Sequence, residues 1–216
     1  MAIEPVRTEQ FTGNVDEGGA VNFRNVYLNP HGHGTHTESA AHILPGAQPP
    51  ISEVLKQYWF TAQLVTVTPE VYSGKDLAHM KPGDAYIGAA TLAPLLCHPA
   101  PTALVVRTLP NPPEKLHRDY SHSNPPYFEP QALHLLAKAG VDHLLTDLPS
   151  VDRESDEGLL LAHRAWWGNT PPYDRTITEM VYVPNEVEDG QYLLNLMLAP
   201  FQNDAAPSYP VLYRIH

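Results

Sequence analysis

The chain has 216 residues, with 13 basic and 24 acidic side chains and a formal charge of −11. At 43% hydrophobic and 17% charged it can bury a core, which argues against intrinsic disorder. The acidic balance argues against a nucleic-acid partner, because such a protein needs a basic stripe to displace counterions from phosphates.

No apolar run reaches the roughly 18–20 residues that cross a bilayer, so no membrane partner is expected. The start, Met1 to Arg7, has no basic region followed by an apolar one, and we expect no signal peptide and a cytoplasmic location. The single cysteine, Cys97, cannot form an intramolecular disulfide. No linker interrupts the composition, so one domain spanning 1–216 is expected. The 23 prolines are spread along the chain, which suggests many rigid loops between short elements.

In chain order, residues 21–28 are mostly β-formers and read as a strand, while nothing in residues 1–20 reads clearly as one. Residues 51–57 suit a short helix, and 58–68 a strong strand that stops at Pro69. Residues 103–107 form the short apolar run of a buried strand. Residues 130–139 carry the clearest helix signal: Pro130 suits the first turn, Leu133, Leu136 and Ala137 share a face, and Gly140 can end it. The helix runs directly into a strand at 141–145, half of a β-α-β unit. Residues 176–183 and 191–198 are β-like and are separated by a turn-rich stretch. The fold class is α/β or α+β, with sheet dominant.

Residues 29–43 read Asn-Pro-His-Gly-His-Gly-Thr-His-Thr-Glu-Ser-Ala-Ala-His-Ile. Four imidazoles, His31, His33, His36 and His42, and the carboxylate of Glu38 fall in one stretch. Gly32 and Gly34 argue against a helix there. In an extended chain side chains two apart face the same way, so His36 and Glu38 can converge on one point. Imidazole with carboxylate suits zinc, manganese or iron. The bland alternative is a histidine-rich surface loop that takes up metals adventitiously.

This stretch resembles the signature of the metal-dependent cyclase family, which includes bacterial kynurenine formamidases. In outline the signature is His-x-Gly-Thr/Ala-His-x-Asp-x-Pro-x-His. Gly34, Thr35 and His36 match it, with Glu38 in the aspartate place and His42 at the final histidine. Thr146-Asp147-Leu148-Pro149-Ser150-Val151-Asp152 resembles the family's Thr-Asp-x-Pro-Ser-x-Asp segment, Ala162-His163-Arg164-Ala165 its Ala-His-Arg/Lys block, and Ile177-Thr178-Glu179-Met180 the place of its last glutamate. The chain departs at Gly32, where the family has its first histidine, and at Ala40, where it has proline. His31 and His33 both compete for the vacated ligand role, and His31 is favoured.

The resemblance implies a swivelling β/β/α fold, a homodimer or homotetramer, and a two-metal hydrolase acting on a small amide, such as the N-formyl group of an aryl formamide in tryptophan catabolism. It implies that His31, His36 and Glu38 hold one ion and that Glu38 bridges to a second held by His163 and Glu179. Zinc is the expected metal, two per chain, with manganese also accepted. His42 matches the family's catalytic histidine, a proton carrier between attacking water and leaving nitrogen. A lactone or cyclic amide or imide as substrate, or a binding protein that has lost turnover, are the alternative readings.

Other residues carry two readings each. Asp147 and Asp152 suit either partners of the metal histidines or loop caps. Trp166 and Trp167, in the insertion-like stretch ending at Asn169, suit either a pocket wall or a core or dimer contact. Glu186 and Glu188 compete with Glu179. His134 and His143 flank the helix-to-strand joint and read as structural, and Cys97 as a small core residue. There is no Gly-x-Ser-x-Gly elbow, which disfavours a serine hydrolase.

Overall fold

The computed structural model describes residues 1–168 and 173–215; Asn169 lies outside the described residues. The chain divides into two units, Met1–Gly34 and Thr35–His216.

In the first unit, strand β1 (Ala2–Pro5) pairs antiparallel with β4 (Arg24–Tyr27), and β2 (Arg7–Thr8) with β3 (Phe11–Thr12). The β1 strand escapes the sequence pattern because β1 and β4 are largely exposed and show no buried alternate face. Gly13 sits where a Cβ would lie 2.3 Å from the carbonyl oxygen of Phe23, so the close return of the chain requires glycine. A single helical turn, α1 (Pro30–His33), corrects the expectation of no helix in the histidine stretch. Asn29 caps it by accepting from the His31 N–H, and Pro30 occupies its first position, so local capping outweighs the cost of Gly32.

The second unit is built on an eight-stranded sheet. Its strands are β5 (His36–Glu38), β6 (Trp59–Val67), β9 (Ala103–Thr108), β11 (His143–Thr146), β12 (Thr176–Glu179), β13 (Gly190–Asn195), β14 (Ala205–Pro207) and β15 (Val211–Arg214), in the order β14-β5-β12-β11-β9-β6-β13-β15. The inner four, β12, β11, β9 and β6, run parallel, and the outer strands are antiparallel to their neighbours. Strands β7 (Glu70–Val71), β8 (Ala85–Ile87) and β10 (Tyr127–Phe128) form a small separate sheet. Short helices α2 (Ile51–Val54) and α3 (Ala89–Leu92) accompany the two longer ones, α4 (Pro130–Ala139) and α5 (Leu161–Trp167).

Strands β6, β9 and β11 carry apolar side chains on both faces, as strands covered on both sides do. Val65, Leu104, Leu144 and Ile177 turn to one face and pack with Leu133, Leu136, Ala162 and Trp166 of α4 and α5. Leu64, Val105, Leu145 and Leu194 cluster on the other. Helix α4 ends as its sequence implies: Gly140 adopts a left-handed φ of 94° and its N–H returns to the carbonyls of Leu136 and Ala137. It connects β9 to the parallel strand β11.

His143, at the start of β11, is buried with its Nδ1 2.9 Å from Thr176 Oγ1 and its ring 4.1 Å from that of Phe60. Burial pushes its pKa down from 6.5 to about 4, so the folded protein keeps it neutral. The unfolded chain takes up that proton below pH 6.5, so the stability His143 contributes is complete above pH 6.5 and is lost as pH falls toward 4. Urea unfolding at pH 7 and pH 4.5 should show the wild type losing about 2–3 kcal/mol more than His143→Gln over that interval. Equal losses in both proteins would contradict this account.

Candidate metal centre

The centre is assembled on the helix-covered face of the sheet. Strand β5 lies between β12 and β14, so its backbone is paired on both sides and all three residues are buried. His36 and Glu38, two apart, project from one face. Glu179 stands directly opposite His36 in the β5–β12 register. The Nε2 of His36 lies 3.5 Å from Glu179 Oε2 and 4.0 Å from Glu38 Oε2. Immediately after Glu179 the chain turns at Met180, which holds a left-handed φ of 55°. Its carbonyl accepts from the Thr35 hydroxyl, which ties that turn to the start of β5.

Helix α5 brings His163. It follows Leu160 in a left-handed conformation, with no capping side chain of its own at that position. Asp152 supplies the cap from a distance: Oδ1 accepts from the Ala162 N–H at 2.8 Å and Oδ2 from the His163 N–H at 3.2 Å. The same Oδ2 lies 2.6 Å from His163 Nδ1, which directs Nε2 to within 3.0 Å of Glu38 Oε1. One carboxylate thus caps the helix and aims the imidazole. Trp167 stacks on the His163 ring at 5.5 Å while its indole N–H donates to the carbonyl of Arg175. Both Trp166 and Trp167 are buried members of the core.

Two buried carboxylates face this centre, and the electrostatics follow from that. Burial raises the pKa of Glu179 and the nearby charge of Glu38 raises it further. Burial alone would lower the pKa of His163, but the hydrogen bonds it donates to Asp152 and Glu38 prevail and push it up to about 10. Without a metal, His163 is therefore an imidazolium held between two carboxylates. The Val151 N–H donates to Glu179 Oε1 at 2.9 Å and fixes that carboxylate.

His42 ends a short 3-10 turn, Ala40–His42, and is the partly solvent-facing member, with its side chain 31% exposed. Its Nε2 lies 3.9 Å from Glu38 Oε2, and its Nδ1 lies 3.1 Å from Asp204 Oδ2. Glu38, His42 and His163 each offer a ligand atom within 4.8 Å of the others. Carboxylate and imidazole groups converging in this way fit a divalent ion of the zinc, manganese or iron class. An ion there would take the place of the proton shared by His163 and Glu38.

His31 lies in the first unit, half-buried on α1. His33, in the same unit, is exposed and engages both ring nitrogens locally, accepting from the Asn29 N–H at Nδ1 and lying 2.7 Å from the Met1 amino group at Nε2. Glu186 and Glu188 are exposed, and Glu188 meets Arg214. Asp147 binds Lys115 at 2.7 Å together with the backbone and hydroxyl of Thr108, so of the two aspartates it is Asp152 that serves a histidine. Asp204 was not apparent from the sequence. It lies 162 positions from His42 and carries no motif, so only strand pairing reveals it.

The family model Cyclase, described as "Putative cyclase", matches residues 2–153. No curated protein matches the chain. Similar solved structures include one described as a potential metal-dependent hydrolase with cyclase activity, at 18% identity and TM-score 0.63, covering 88% of this chain and 81% of that one. A predicted metal-dependent hydrolase from Bacillus stearothermophilus is similar at 16% identity and TM-score 0.61, covering 98% and 85%. An isatin hydrolase bound to the product analogue thioisatinate is similar at 11% identity and TM-score 0.60, covering 97% and 80%. The sheet-dominated α/β fold is common to these structures, and with a family match over most of its length the chain belongs to the cyclase family.

Proposed function

We propose that the chain is a metal-dependent amide hydrolase. The observation that carries this reading is the convergence of Glu38 and His163, with Glu179 and His36 beside them, in a cluster of buried carboxylates that a divalent cation would neutralise. His36, Glu38, His163 and Glu179 are the assigned ligands in the second unit, and zinc is the assigned metal, with manganese as substitute. When bound, such an ion polarises a carbonyl and makes water acidic enough to attack near neutral pH.

The chain's own residues supply the rest. Glu38 and Glu179 balance the positive charge of the centre, and Asp152 keeps the Nε2 of His163 directed at Glu38. His42, the exposed member, is positioned to take a proton from water as oxygen bonds to the carbonyl carbon. It returns that proton to the nitrogen as the C–N bond breaks, so the imidazole ends as it began. The proposed substrate is an aryl formamide such as N-formylkynurenine. A cyclic aryl amide is the second reading, supported by the fold shared with proteins described as isatin hydrolases. A homo-oligomer, also proposed, is supported by the exposed apolar side chains of Ile3, Phe11, Phe23 and Val26 in the first unit.

Protein stripped of metal and reloaded with zinc or manganese should hydrolyse N-formylkynurenine or isatin, and stripped protein should not. Absence of turnover on both, with metal bound, would contradict the proposal. His42→Ala should retain metal and lose about 10²–10⁴-fold in kcat, and unaltered hydrolysis would remove its role. Glu38→Ala should abolish metal retention through gel filtration, as read by elemental analysis; full retention would show that the carboxylate is not a ligand.

A further inference from the structure

The proposed proton carrier has two ring nitrogens, and a neutral imidazole holds only one proton. Which nitrogen carries it is set by what the other meets. Nδ1 of His42 lies 3.1 Å from Asp204 Oδ2, whereas Nε2 faces Glu38 at 3.9 Å, and the ring centroid lies 5.6 Å from that of His163. A carboxylate only accepts, so it draws the proton to Nδ1 and leaves the lone pair of Nε2 turned toward the carboxylate–imidazole cluster.

Asp204 is held in place by its backbone. Its carbonyl accepts from both the N–H and the hydroxyl of Ser39, at 3.0 and 3.2 Å. The next residue, Ala205, is the register partner of Glu38 in the β14–β5 pairing. Its neighbour Asn203 accepts from the Ile51 N–H. The backbone of Asp204 is thus fixed relative to Glu38 by the sheet, and the 3-10 turn that carries His42 begins directly after Ser39. With its side chain 25% exposed, Asp204 stands at the rim of the centre and not within its buried floor.

We infer that Asp204 is a positioning residue that fixes the tautomer and orientation of His42, so that Nε2 is the atom that accepts the proton from water. This rests on the reading of His42 as the proton carrier. Because the anchoring contacts of Asp204 are made by its main chain, Asp204→Ala should fold normally, and loss of zinc from that variant would make Asp204 a ligand and overturn the inference.

The test combines a spectroscopic and a kinetic readout on zinc-loaded protein. Nitrogen-15 NMR of the His42 imidazole, assigned by the signals missing in His42→Ala, should report the Nδ1–H form in wild type and a shift toward Nε2–H in Asp204→Ala. With isatin or N-formylkynurenine, whichever the wild type hydrolyses, Asp204→Ala should lower kcat about 10–100-fold at unchanged KM. Asp204→Glu should recover part of that loss. An unchanged tautomer or an unchanged kcat in Asp204→Ala, while His42→Ala loses turnover, overturns the inference. Full turnover in His42→Ala overturns the proton-carrier reading instead, and the NMR comparison alone then decides whether Asp204 holds the ring.

Discussion

Two carboxylates, Glu38 and Glu179, are buried together on one face of the sheet, and much of the second unit is arranged to tolerate them. Taking an ion out of water costs several kcal/mol unless opposite charge and hydrogen bonds replace the solvent. Here the compensation is specific: His163 approaches Glu38 at 3.0 Å, His36 approaches Glu179 at 3.5 Å, and the Val151 N–H caps the remaining oxygen of Glu179. Burial, and after it the nearby charge of Glu38, raises the pKa of Glu179.

The topology makes the cluster possible. Strand β5 is antiparallel to β12 and β14 at one side of a sheet whose centre is parallel, which sets His36 opposite Glu179 and Glu38 opposite Ala205. Helix α5 is fixed beside them by Trp166 and Trp167 in the core and by Asp152 at its start. The cap and the aim of His163 come from one side chain, so loss of Asp152 would disturb helix and imidazole together. His42 and Asp204, at the rim, are both partly exposed to solvent.

What the sequence reveals depends on the range of the interaction. Helix 130–139 is legible to the residue because its start and stop, Pro130 and Gly140, are local. The strand predicted at 58–68 differs from Trp59–Val67 by one residue at each end, and that at 103–107 from Ala103–Thr108 by one residue at its end, since central strands apolar on both faces stand out from their flanks. The strand predicted at 176–183 stops early, at Glu179, because Met180 turns the chain. The pairing of His36 with Glu38 follows from alternation alone. Exposed β1 lacks any such contrast, and the turn at Pro30–His33 depends on a cap that outweighs its glycine. Asp204 was invisible because its meeting with His42 is made by the β14–β5 pairing and by nothing near it in the chain.

The central claim is that this cluster of buried carboxylates and imidazoles holds a divalent metal. Anomalous diffraction at the zinc edge from crystals of the zinc-loaded protein measures this directly. The account predicts a peak within coordination distance, about 2.0–2.2 Å, of Glu38 and His163. Loaded protein with no peak at those two side chains, or with zinc bound only elsewhere on the chain, would contradict it.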